Sequence, residues 1–101
     1  MQTTKQVSVF FENKPGRLAT VLSTLHQEKV NLVGMTVMDS HEHSVLRFVP
    51  DDLDKTRSAL KGLSTQFSEA EVVLVELRNQ PGALAHICEV LAAEHINIDY
   101  A

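Results

Sequence analysis

The sequence predicts an α+β chain, a ferredoxin-like βαββαβ sandwich with an antiparallel sheet and its helices on one face, followed by a partial second βαβ unit. Two observations predict it. The apolar periodicity alternates between the two-residue repeat of a strand and the 3.6-residue repeat of a helix, in the order strand, helix, strand, strand, helix, strand. In addition, Asn13-Lys14-Pro15-Gly16-Arg17-Leu18-Ala19 returns 66 residues later (79 − 13) as Asn79-Gln80-Pro81-Gly82-Ala83-Leu84-Ala85. The same offset aligns Val7 with Val73, Val9 with Val75, Leu25 with Leu91, Glu28 with Glu94 and Asn31 with Asn97, without a gap. One unit has been used twice.

Each element follows from its residues. Val7, Val9 and Phe11 alternate with Ser8, Phe10 and Glu12, a strand with one apolar face. Pro15-Gly16 breaks it, and Leu18, Val21, Leu22 and Leu25 then recur at helical spacing from near Arg17 to near Glu28. Val30 to Met38 is apolar and rich in β-branched residues, Asp39 to His43 is a polar turn, and Ser44 to Val49 resumes as a strand, which together read as a hairpin. Pro50 stops that strand, and Asp51 or Asp52 caps a second helix with Leu53, Ala59, Leu60 and Leu63 on one side. Ser64 to Ala70 reads as polar connection and Glu71 to Leu77 as a strand. That strand closes the first unit, residues 1–77, and opens the partial second, residues 71–101, whose helix carries Leu84, Ile87, Cys88 and Leu91.

Composition narrows the function. A chain of 101 residues with 44% hydrophobic content can bury one core without disulfides, and its single cysteine, Cys88, excludes an internal disulfide framework. There is no amino-terminal signal pattern, so a cytoplasmic location is the expectation. No apolar run reaches the roughly 20 residues of a membrane span, and a net charge of −4 with scattered lysines leaves no footprint for nucleic acid. Neither membrane nor nucleic acid is an expected partner.

Through these repeated residues the chain resembles the ACT-domain family, small regulatory modules attached to or beside enzymes of amino-acid metabolism. The words are Glu12-Asn13-Lys14-Pro15-Gly16-Arg17-Leu18-Ala19 followed by Val30-Asn31-Leu32, and their second copies Asn79 to Ala85 and Ile96-Asn97-Ile98. The resemblance covers the whole chain and implies a module that binds an amino acid or similar effector at module interfaces and regulates a partner. It also implies a contribution from the Asn on the second strand, Asn31 or Asn97. In serine-responsive members a polar residue two positions before the loop Asn contacts the effector; Phe11 and Leu77 stand there, which argues against serine.

The loop chemistry can be argued independently. Pro-Gly at a helix start exposes the first backbone N–H groups, here of Gly16, Arg17 and Leu18, and the positive end of the helix favours a carboxylate. The candidate ligand-binding residues are therefore Asn13, Lys14, Pro15, Gly16, Arg17, Leu18 and Asn31 in the first copy. In the second they are Asn79, Gln80, Pro81, Gly82, Ala83, Leu84 and Asn97. A helix terminus contributes only about 0.3–2 kcal/mol, whereas millimolar binding needs about 4 kcal/mol. A second surface is required. The other reading of the same loops is turn chemistry alone, with Asn bonding its own backbone and Gly supplying a left-handed conformation.

Other candidates carry less. His41 and His43 would share a strand face, a possible metal pair, but zinc or nickel needs three or four ligands and Val49 stands where a related metal-responsive fold has cysteine. A solvated turn is the simpler reading, so neither a metal nor a cofactor is expected. Cys88 lies on the helix stripe without a neighbouring base, and no catalytic carboxylate pair, triad or phosphate loop emerges, so the chain is not expected to be an enzyme. The first function class is thus a small-molecule sensor; the alternative is an assembly subunit of a biosynthetic enzyme that binds no ligand, and the minor alternative a metal-responsive regulator. The second unit has no counterpart of the hairpin in Gly34 to Ser68, leaving an apolar helix stripe to cover. Either a homodimer or higher homo-oligomer covers it, packing the piece against its twin or extending a neighbour's sheet, or the natural protein continues past Ala101.

Overall fold

The structure, a computed structural model, describes residues 2–39 and 43–101. The elements run β1 (Gln2–Glu12), α1 (Arg17–Gln27), β2 (Leu32–Asp39), β3 (His43–Pro50), α2 (Leu53–Gly62), β4 (Gln66–Leu74) and α3 (Ala83–Ala93). The strands form one antiparallel sheet in the order β2-β3-β1-β4, with β1 paired to both β3 and β4. That order is the split βαβ arrangement: each crossover helix skips a strand, and both lie over the same face.

Alternation decides that face. Val7 and Val9 on β1 stand opposite Phe48 and Leu46 on β3, and all four are essentially fully buried. Val21 and Leu25 of α1 and Ala59 and Leu60 of α2 close over them. Asp52, rather than Asp51, caps α2, its carboxylate accepting from the Lys55 N–H at 3.0 Å. Asp51 instead accepts from the Asn31 N–H at 2.9 Å and returns its own N–H to the Asn31 carbonyl at 3.0 Å.

All three helices end alike. Lys29, Ser64 and His95 take positive φ of 61°, 53° and 58°. The following residues, Val30, Thr65 and Ile96, donate back to Leu25, Leu60 and Leu91. These are Schellman motifs built without glycine.

Two elements differ from the sequence expectation. The strand expected at 71–77 lies at Gln66–Leu74, so most of the expected polar connection is strand. The reason is pairing: β1 offers a continuous ladder from Phe10↔Gln66 to Gln2↔Leu74, and that ladder recruits polar residues wherever Phe67 is drawn onto the core. Residues 96–101 form no strand; among the described residues no neighbour supplies a ladder. Although α3 repeats the α1 stripe, none of its residues is buried, and Leu84 is 61% exposed. The expected hairpin turn falls partly on residues 40–42, outside the described residues, so His41 is not placed.

A bidentate ion pair fastens α2 to β4. Arg57 donates from Nε and Nη2 to the two Glu69 oxygens, both at 2.7 Å. Those hydrogen bonds hold the Glu69 carboxyl below its ordinary range. A carboxylate with a lower pKa folded than unfolded stabilises the fold fully above the unfolded value and loses that contribution as pH falls through the folded one. Glu69→Gln is therefore expected to lower Tm at neutral pH, with the difference from wild type shrinking once pH falls below the ordinary carboxylate value and vanishing when the folded-state carboxyl is itself protonated, read by thermal denaturation across pH.

The repeat gives a second test. Leu25→Ala, at a site 2% exposed, is expected to cost about 2–5 kcal/mol in urea denaturation. Its repeat partner Leu91→Ala, only half-buried, is expected to cost less than about 1 kcal/mol.

Candidate functional site: two Pro-Gly turns at helix starts

Each repeated motif folds into the same turn. Gly16 has φ 85°, ψ −11° and Gly82 has φ 87°, ψ −12°. The Arg17 N–H donates to the Lys14 carbonyl at 3.2 Å, and the Ala83 N–H to the Gln80 carbonyl at 3.3 Å. Proline at the second position and a left-handed glycine at the third define a type II turn, closed by this bond from the first carbonyl to the fourth N–H. Helix bonding then starts from the glycine carbonyl, which accepts from the N–H of Thr20 or His86.

That geometry corrects the donor set. The Arg17 N–H closes the turn and is not free; the N–H groups without a protein acceptor among the described residues are those of Gly16, Leu18 and Ala19. Two expected side chains are also engaged within the protein. Lys14 Nζ turns back onto Glu12 at 2.7 Å, and its hydrogen bond and charge hold the Glu12 carboxyl below its ordinary range. Asn13 Nδ2 donates to Asp39 at 3.2 Å, and the other Asp39 oxygen accepts from the Ser44 hydroxyl, also at 3.2 Å. The first turn is thereby tied to the β2–β3 hairpin.

The two turns border clefts with different linings. The first borders a cleft of about 260 Å³ lined by Phe11, Glu12, Arg17, Thr20, Leu63 and Thr65 among others. The second borders an open cleft of about 390 Å³ whose polar lining comes from Glu76, Arg78, Gln80 and His86. Pro81, Gly82 and Ala83 form its floor; Leu84 projects outward.

Neither second-strand Asn joins its own turn. Asn31 lies beyond the carboxyl end of α1, so 11 helical residues at 1.5 Å each, roughly 16 Å, separate it from Gly16. Asn97 donates to Asp99 at 3.3 Å in the segment after α3. Asp39, Thr20, Thr65 and His86 were missed in the sequence. Only the strand register, which sets Asp39 opposite Ser44 and Glu12 opposite His43, reveals the Asp39 contact.

Among the described residues no group of three or more His, Cys, Asp or Glu could hold a metal, and no helix is long and apolar enough to cross a membrane.

Comparison with known proteins agrees with this architecture. The profile of the family described as an ACT domain pair matches residues 2–101, and the chain belongs to that family. It is an ACT-domain regulatory module. It is similar to protein BT0572 from Bacteroides thetaiotaomicron, with 37% identity over 97% of this chain and 68% of that one, and a TM-score of 0.88. The ligand-free regulatory subunit of aspartate kinase from Thermus thermophilus shares 16% identity over 94% of this chain and 72% of that one, with a TM-score of 0.69. The ACT domain of prephenate dehydrogenase from Bacillus anthracis shares 22% identity over 62% of this chain and 99% of its own, with a TM-score of 0.54. At 16% and 22% identity the likeness is one of fold. No curated protein matches the chain.

The turn depends on glycine. A Cβ at Gly16 would meet nothing within 4 Å, so substitution there tests backbone strain alone. Gly16→Ala is expected to cost about 1–2 kcal/mol, and Gly16→Asn less, because Asn tolerates the left-handed region. The urea midpoints of the two variants check both the size and the order.

Proposed function

We propose that the chain senses an amino acid at interfaces between modules and regulates a partner protein of amino-acid metabolism. The observation that carries this reading is the duplicated turn: two helix starts with matching backbone angles, each leaving backbone N–H groups without a protein acceptor among the described residues. Amide donors and the positive helix end suit the carboxylate of an amino acid. Beside the first turn, Asp39 brings a carboxylate against Asn13, where an ammonium group finds its counter-charge. Aspartate kinase regulatory subunits among the structural neighbours are consistent with this class of role.

The interface location follows from distance. Asn31 sits at the opposite end of α1 from the first turn, so a site using both must draw them from different modules. A homodimer or higher homo-oligomer supplies that arrangement. The exposed apolar residues Val33, Met35, Val37 and Met38 on edge strand β2 provide a surface for it. The same surface is what a subunit working only in enzyme assembly would present, and ligand titration separates the two.

The test is thermal denaturation of the full chain with each of the twenty amino acids up to about 10 mM, tenfold above a millimolar Kd, where binding adds about 1.4 kcal/mol and raises Tm by several degrees. A saturable rise with one or a few amino acids is expected. A flat response to all twenty contradicts the sensor reading and leaves assembly, which native co-purification of a larger enzyme subunit would support.

A further inference from the structure

The helix-free face of the sheet carries buried polar groups. Gln6 and Ser8 alternate with the core residues Val7 and Val9 and so point away from α1 and α2, yet they are only 9% and 8% exposed. A sheet face left to solvent would keep such side chains wet. Part of the cover is the segment after α3. Gln6 Nε2 donates to the Tyr100 hydroxyl at 2.7 Å, and the Arg47 guanidinium carbon lies 4.7 Å from the centre of the Tyr100 ring. Gln6 belongs to β1 and Arg47 to the adjacent β3, so one tyrosine spans two neighbouring strands.

Tyr100 makes these contacts, while Ile96 and Ile98 of the same segment are 53% and 43% exposed. After the left-handed His95, the residues Ile96, Ile98 and Tyr100 alternate with Asn97 and Asp99, the two-residue period of a strand with one apolar side. Tyrosine fits a half-wet boundary, since its ring takes apolar and cationic contacts while its hydroxyl finds a hydrogen-bonding partner.

We propose that the helix-free face is the surface on which the second repeat stacks, with the strand-like segment 96–101 as its occupant and Tyr100, held by Gln6 and Arg47, as the anchor. The two units of the pair then meet face over face, as layers. This arrangement is independent of whether the turns bind an effector.

The chain has one tyrosine and no tryptophan, so its intrinsic fluorescence reports Tyr100 alone. With the ring 47% exposed, acrylamide quenching of the native protein is expected to be roughly two-fold weaker than in denaturant. Arg47→Met is expected to raise quenching toward the denatured level while circular dichroism keeps the native secondary structure. Arg57→Met, on the other face, is expected to leave quenching unchanged. Native quenching equal to that of the denatured chain, or an Arg47→Met variant quenched like wild type, would overturn the proposal.

Discussion

A single backbone constraint organises this protein: the strand must turn sharply into a helix, and only a left-handed third residue closes that turn. Gly16 and Gly82 meet the requirement with nearly identical angles. Proline fixes the preceding dihedral, the fourth N–H closes the turn, and the helix begins with its next donors unspent. The geometry that sends α1 back over the sheet therefore also leaves backbone donors free at its start. Fold and candidate function share one cause.

The same words nevertheless produce different burial. The stripe Leu18, Val21, Leu22 and Leu25 closes over β1 and β3, whereas the matching stripe on α3 has no buried member. Helix formation is local and follows the repeat; burial is not local and needs a sheet beneath. What the first unit has and the described part of the second lacks is the hairpin of β2 and β3. The second unit instead reaches the first through Tyr100, on the face away from α1 and α2.

Much of this was legible. The helix limits, the hairpin, the layered order and both turns follow from periodicity, proline, glycine and the repeat. The strand Gln66–Leu74 was misplaced because Gln66, Ser68 and Glu69 are polar, and their strand state is imposed by the β1 ladder rather than by their own preference. Of the candidate site residues, Lys14 and Asn13 are already engaged by Glu12 and Asp39, and such pairings depend on rotamer and register. The Gln6–Tyr100 contact spans a sequence separation of 94, which no pattern within a window can show.

If the unspent amides at the two turns hold an effector, their chemical shifts observe it directly. In a nitrogen-15 NMR titration with the amino acid that stabilises the protein, the amides of Gly16 and Leu18, of Gly82 and Leu84, or of both pairs should move first and saturate together, while the closed-turn amides of Arg17 and Ala83 move less. Saturable shifts confined to other parts of the chain, with all four donors unmoved, would contradict it.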